Sequence, residues 1–422
     1  MTKSNCISIN LCCKIPPTKK VQLKTAGKNV IHPASPGKEH TIKTCGIIAE
    51  YNPYHNGHQR LTEYAKSELG ANRIIVVMSG DHVQRGEPAV MDKYARTEAA
   101  LNSGADLVLE LTVPFATGSA QYFARGAVSA LLNTGACDML LFGSETGDLD
   151  TLRHQAGSAT DLAELTANPP LPNDILGLEY LKALNYFKTG SIVPYTLKRD
   201  GAGHDAPSPL GDSASASYLR SVMRKDDEYD TYTSLSAYMP QSAFDVCEKY
   251  FAIHRPVSPS DYSECLFYTL MMQKEKGYSD YFDVYDNLSD RIYNSLQDYD
   301  SFPGFITRLK SKEITYSHLS RALLHILLDI KKVEVSTLIE KYSYCPYLRP
   351  LGFRKDAGDL LKSIKNNCDR PFISKLADAA GILDADNLHA LKKDILASEI
   401  YAKNSLRSGT PISEYRRPLI TV

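Results

Sequence analysis

The sequence has no tryptophan, no long apolar run and no Cys-x-x-Cys pair. The longest apolar stretches, "ADLVLELTVPFA" and "CDMLLFG", are interrupted by acids. They fall short of the roughly 18 residues that cross a bilayer and read as buried strands with their exits. Nine cysteines stand at 6, 12, 13, 45, 137, 247, 265, 345 and 368. An odd number without ligand spacing argues against structural zinc and for reduced thiols. An excess of one charge sign is also missing: 48 Lys and Arg face 49 Asp and Glu, a net charge of −1. That excludes a basic coat for nucleic acid over the whole surface, while a local basic patch stays compatible. The start, "MTKSNCISINLCCKIPPTKK", is basic but lacks the apolar core of a secretory signal, so the expected location is cytoplasmic, with no membrane association.

A chain of 422 residues is too long for one ordinary core, and two or three units are expected. Residues 1–44 are lysine-rich with scattered prolines and no period, which predicts a flexible basic extension. From Cys45, strand-like runs "CGIIAEY", "NRIIVVMS", "ADLVLELT" and "CDMLLFGS" alternate with helical stretches that begin near His55, Asp92, Gly118 and Gly147. Gly104 closes "KYARTEAALNSG" as a C-cap. A helix "PNDILGLEYLKALNYFKTG" and a strand "SIVPYTLKR" follow, then a loop rich in glycine and serine. Such alternation predicts an α/β fold, a Rossmann-like parallel sheet over 45–235 covered on both faces. Residues 236–422 are expected to form a mainly helical domain.

Ligands of an open parallel sheet bind at the strands' carboxyl ends, where helix N-termini offer unpaired N–H groups suited to phosphate. The segment "EYNPYHNGHQRL", residues 50–61, falls at such a place. Gly57 would let backbone approach a ligand, and His55 and His58 would donate to phosphate as charge develops in phosphoryl or nucleotidyl transfer. Two histidines three apart also serve as plain helix caps, and the pair alone does not decide. Further on, "SASYLR" sets Ser215, Ser217 and Arg220 before a helix, as triphosphate ligands or as a simple serine cap.

Strand, His-x-Gly-His, helix resembles the signature of the HIGH-type nucleotidyltransferase superfamily, and "SASYLR" resembles its serine-rich second signature. The segments "GIIAEYNPYHNGH", "VMSGDHVQRGEPAVMDKYARTEAALNSGADLVLELTVPFA", "SAQYFARGAV", "LLFGSETGD" and "PNDILGLEYLKAL" together resemble the bacterial tRNA(Met) cytidine acetate ligase family over about residues 45–225, and "YSHLSRALLHILL" and "YLRPLGF" extend the likeness more loosely. The resemblance implies that acetate and ATP form acetyl-adenylate, and that acetyl then passes to N4 of the wobble cytidine, position 34, of elongator tRNA(Met). It implies an ATP site from Ile48, Ala49, Glu50, Tyr51, Asn52, Pro53, Tyr54, His55, Asn56, Gly57, His58, Gln59, Arg60 and Leu61, with His55 and His58 catalytic. Gly143, Asn173 or Asp174, Arg199, Ser215, Ser217 and Arg220 complete it. At Asp174 the family often has asparagine, which leaves open whether Asn173 or Asp174 touches ATP. Magnesium is expected with ATP on chemical grounds, without nameable protein ligands. No protein partner is implied.

Gln84, Arg85, Lys93 and Arg96 follow the second strand, where they would meet acetate, phosphate or tRNA, or be solvated loop charges. Asp81 stands where many members of the family have Asn, against a catalytic carboxylate there. In the helical part Arg308, Lys310, Lys312, Arg321, Arg349 and Arg354, with Tyr316, Tyr344 and Tyr347 nearby, suit tRNA phosphates and an unstacked base, or else form solvated helix faces. Two other functions stay open: a small-molecule nucleotidyltransferase, disfavoured by the long helical extension, and a non-enzymatic RNA-binding protein with a vestigial nucleotide site. ATP–pyrophosphate exchange with the right acid separates the enzymes from the binder.

Overall fold

Ile-, Val- and Leu-rich runs form a sheet here because such side chains suit a pleated surface buried on both faces. The computed structural model describes residues 42–157, 172–199, 208–225 and 234–422. Up to residue 41 the expected extension lies outside them, as do residues 200–207 of the glycine-rich loop. Strand β1 (Thr44–Ala49) pairs in parallel with β2 (Arg73–Ser79), and a small antiparallel ribbon of β3 (His82–Val83) and β4 (Glu87–Pro88) follows. Strands β5 (Leu107–Leu111), β6 (Met139–Ser144) and β7 (Val193–Lys198) continue the parallel pairing. The sheet order is β7-β6-β1-β2-β5-β8-β9, with β8 (Arg349–Phe353) antiparallel to β5 and β9 (Ile420–Thr421) beside it.

Side chains alternate between two cores along each strand, as a period of two requires. Ile75, Val77, Leu107 and Leu109 join Phe115, Phe123 and Leu131 on one face. Ile74, Val76, Met78 and Ile47 join Leu101, Leu219 and Phe244 on the other. Each such side chain contributes about 1.5–3 kcal/mol by burial.

The helices that flank the strands are α1 (Asn56–Ser67), α2 (Lys93–Asn102), α3 (Val113–Ala116), α4 (Ala120–Asn133), α5 (Leu149–Gly157), α6 (Pro172–Tyr186) and α7 (Ala216–Met223). The Asp92 carboxylate caps α2 by accepting from the Ala95 N–H at 2.7 Å, and Gly104 follows the helix at φ 109°, a conformation that suits glycine. Beyond residue 236 helices dominate, including Gln241–Phe251, Ser263–Gln273, Tyr316–Leu327 and Ala385–Ser405. Strands β8 and β9 were not legible there. Pro350 and Gly352 argue locally against a strand, and the open edge of β5 overrides them.

Reading across the parallel strands, β2 and β5 lie on one side of β1, with β6 and β7 on the other. The chain direction around the sheet reverses between β1 and β6, and the crevice at their carboxyl ends is the place such a sheet offers a ligand.

Candidate active site

β1 ends at Ala49 and α1 starts at Asn56, and the loop between them is held from several sides. Tyr51 sits at φ 47°, with its ring packed 4.8 Å from both the Tyr54 and His58 rings. The Asn52 side chain accepts from the Val90 N–H at 2.8 Å. Arg96 is fully buried and donates to the carbonyls of Glu50 at 2.6 Å, Met91 at 3.0 Å, Ser79 at 3.2 Å and also Gly80. One guanidinium thus ties the exit of β1 to the exit of β2, and Arg96 is neither a ligand nor a solvated loop charge.

His55 is the N-cap of α1. Its Nδ1 accepts from the Gly57 N–H at 3.1 Å, while its own backbone N–H donates to His58 Nδ1 at 3.2 Å. The two rings stack with centroids 3.8 Å apart at 23°. Burial, helped by the charges of Arg199 and Arg220, pushes the His55 pKa down to about 3. Burial, then His55 and Arg199, drive His58 well below its ordinary value. Both rings are therefore neutral near pH 7. Because each Nδ1 accepts, the ring proton resides on Nε2, and each ring retains one N–H donor. Capping uses the Nδ1 edge of each ring, so it does not exclude donation from the Nε2 edge.

Gly57 matters for a reason other than backbone approach to a ligand. A Cβ there would lie 2.9 Å from His55 Cε1, so the glycine makes room for the imidazole.

One cavity gathers Ile48, Ala49, Glu50, Tyr51, Asn52, His55, His58, Leu61, Gly143, Arg199, Ser215, Ser217 and Arg220 from the expected set. Arg220 donates to the Asn52 carbonyl at 2.8 Å and to Ser217 Oγ at 3.1 Å, which joins the serine segment to the β1 loop. Ser215 Oγ accepts from the Tyr218 N–H at 3.0 Å, so this serine caps α7 while its residue borders the cavity.

Other expected members stand outside the cavity lining. Arg60 pairs with Asp212 at 2.9 Å, and Asn56 donates to the carbonyls of Asp212 and Ala237. Gln59 turns to Glu63, while Pro53 and Tyr54 are buried in the loop. Asp174 is buried and accepts from the Glu145 N–H at 2.8 Å, holding the turn after β6. The Asn173 side chain lies outside the described residues. Arg85 borders the cavity, and the Gln84 N–H donates to Glu50 Oε1 at 2.9 Å. Val83, Glu87, Phe123, Phe142, Leu176 and Tyr180 also line the cavity and were not singled out in the sequence. The local signal for the ribbon is Gly86 beside Glu87, which turns the chain at φ 79°.

Lys93 is no loop charge either. Its ammonium is fully buried, 2.8 Å from Glu110 and 2.6 Å from Glu414. Arg349 lies 2.7 Å from Glu110 and 2.6 Å from Glu414 in the same cluster. Burial works against the Glu414 charge, yet Lys93 and Arg349 outweigh it and hold the carboxyl at about 2. Arg349 is 3% exposed, so it braces β8 against β5 and is withdrawn from the expected tRNA contacts. Asp81 is buried, accepts from the Lys93 backbone N–H at 2.7 Å and is pushed up to about 6 by burial.

Of the remaining expected tRNA contacts, Arg308, Lys310 and Lys312 are exposed, whereas Arg321 is largely buried against Asp283 at 3.0 Å. Arg354 pairs with Asp356 at 3.0 Å. Tyr344 and Tyr347 are buried, and only Tyr316 keeps a partly exposed ring.

The chain is similar to known proteins over most of its length. The chain matches the model of the HIGH nucleotidyl transferase family over residues 42–170 and 158–410. It is 32% identical to the tRNA(Met) cytidine acetate ligase of Fervidobacterium nodosum, over 85% of this chain and 94% of that protein. With the tRNA(Met) cytidine acetate ligase of Caldanaerobacter subterraneus it shares 33% identity, over 85% of this chain and 95% of the relative. The apo crystal structure of Thermotoga maritima TmcAL superposes with a TM-score of 0.82 at 25% identity, covering 90% of this chain and all of that one. A second form of that protein, bound with alpha-thio ATP, has a TM-score of 0.80 at 24% identity and speaks for the fold alone.

Proposed function

We propose that this chain, which belongs to the tRNA(Met) cytidine acetate ligase family, activates acetate with ATP and joins the acetyl group to a cytidine of tRNA(Met). The observation that carries this reading is the pair of neutral, stacked histidines at the N-terminus of α1, in one cavity with Arg199 and Arg220.

In the first step, acetate oxygen attacks the α-phosphorus of ATP and pyrophosphate leaves, forming acetyl-adenylate. The Nε2–H groups of His55 and His58 donate to the phosphate oxygens as negative charge builds, and the two guanidinium groups offset the charge of the triphosphate. No protein nucleophile is required, because positioning and charge stabilisation perform the work. In the second step the N4 amine of the wobble cytidine, position 34 of elongator tRNA(Met), displaces AMP and yields N4-acetylcytidine.

Magnesium would accompany ATP in this reading and offset part of the phosphate charge. Among the described residues no group of three or more His, Cys, Asp or Glu is placed to hold a metal. The exposed Arg308, Lys310 and Lys312 of the helical part serve as phosphate contacts for tRNA. The domains divide the labour, with residues 45–235 activating acetate and residues 236–422 holding RNA. No helix among the described residues is long and apolar enough to cross a membrane. The reading places catalysis in the cytoplasm, where tRNA and ATP meet.

The test is incubation with ATP, carbon-labelled acetate and unmodified tRNA(Met) transcript, followed by nucleoside analysis. Label in N4-acetylcytidine that vanishes without ATP is expected. Absence of label from a protein that binds ATP would overturn the reading.

A further inference from the structure

One wall of the cavity has no part in the nucleotide chemistry above. The β3–β4 ribbon contributes Val83, Arg85 and Glu87 to the lining, and Glu87 pairs in register with Val83. The ribbon follows β2 in the chain, and β2 lies on the side of β1 away from β6, whose end carries Gly143. It is also clamped. Ser320 Oγ donates to the Gly86 carbonyl at 2.8 Å. At φ 79°, a Cβ on Gly86 would stand 2.4 Å from the Arg321 backbone nitrogen. The ribbon is thus a fixed wall between the cavity and the helix Tyr316–Leu327 of the helical part.

Two carboxylates line the cavity, Glu50 and Glu87. Glu50 accepts from the Gln84 N–H at 2.9 Å. The charge of Glu87 is felt both by Arg220 inside the cavity and by partly exposed Tyr316 on the helical part. A carboxylate is the side chain that accepts from the N4 amino group of cytosine, and a uracil, with an oxygen at that position, is repelled.

Resting on the acetate ligase reading, we propose that Glu87 receives the exocyclic amine of the acceptor cytidine and takes the proton lost on acylation. The amine nitrogen attacks the acetyl carbonyl, and a C–N bond forms. The C–O bond to the phosphate breaks, its electron pair leaves with AMP, and the surplus proton on nitrogen passes to the Glu87 carboxylate and then to water. The amine is a weak nucleophile because its lone pair is delocalised into the ring, so a proton acceptor contributes about 10²–10⁴-fold.

The test is Glu87→Gln in the full chain, which keeps size and removes the proton acceptor. Two half-reactions are measured: acetate-dependent ATP–pyrophosphate exchange, and single-turnover acetyl transfer to tRNA(Met) transcript. The ratio of transfer rate to exchange rate is expected to fall by about 100-fold or more. Glu87→Asp is expected to recover part of the transfer rate. Equal losses in both half-reactions, or undiminished transfer, would overturn the proposal. Wild-type protein that exchanges pyrophosphate but never acetylates tRNA would instead sink the ligase reading, and this role with it.

Discussion

His55→Asn separates the two edges of one imidazole. In the wild-type chain Nδ1 accepts from the Gly57 N–H at 3.1 Å, and the ring is 4% exposed. Asparagine carries an oxygen at similar reach and ranks among the best N-caps, so the start of α1 survives and stability changes by about 1 kcal/mol or less through the cap. What disappears is the Nε2–H on the far edge. Loss of one preorganised donor to a developing phosphate charge lowers the rate by about 10²–10³-fold, or about 2.7–4 kcal/mol of transition-state stabilisation. His55→Ala loses the same donor and also the cap, a further cost of about 1 kcal/mol in stability. The assay is acetate-dependent exchange of labelled pyrophosphate at saturating ATP, with a thermal melt of each variant. Both variants should be equally slow, and only the alanine variant should melt clearly lower. An asparagine variant that exchanges within about threefold of wild type would refute the donor role and leave His55 a cap alone.

Three further outcomes are expected. Gly57→Ala puts a Cβ 2.9 Å from His55 Cε1, so exchange should fall about tenfold or more while the better helix former leaves the melt unchanged or slightly higher; a fully active variant would show that the ring has room to shift. Arg349→Met leaves Glu110 and Glu414 with one cation in a buried cluster and should cost about 3–5 kcal/mol in denaturant melts. The salt dependence of tRNA binding by the folded protein should not move, and a flatter salt slope would return Arg349 to the RNA-contacting set. Acidification should weaken the fold. His55 and His82 titrate near 6.5 when unfolded and at about 3 when folded, so the unfolded chain binds more protons between those values. Their contribution is complete above about pH 6.5 and declines toward pH 3, by about 1.4 kcal/mol per unit for each fully engaged histidine. Asp81, raised to about 6, opposes them between about pH 4 and 6. Melting temperature should therefore drop on acidification, with a shallower slope in His82→Gln; a flat profile from pH 7 to 4 would contradict it.

The parallel sheet was legible in the sequence because its signals are local. Apolar runs such as "NRIIVVMS" need burial on both faces, the His55 and Asp92 side chains mark helix starts by accepting from backbone N–H groups, and Gly104 marks a helix end by its positive φ. Of the residues singled out for the candidate site, His55, His58, Gly143, Arg199 and Arg220 line one cavity, while Asn56, Gln59 and Arg60 do not. What sequence spacing could not decide was the direction and burial of charged side chains. Lys93, Arg96 and Arg349 have the composition of surface residues, and all three are buried. Whether a cation meets solvent, carbonyls or carboxylates depends on contacts between segments remote in the chain, as with Lys93 and Glu414. The strand "RPLGF" and the inward reach of Glu87 likewise depended on an open sheet edge and on a helix more than two hundred residues away. Local hydrogen bonding and periodicity were determined by the sequence itself; the partners of buried charges, and the ribbon that walls the cavity, were decided only when the chain closed on itself.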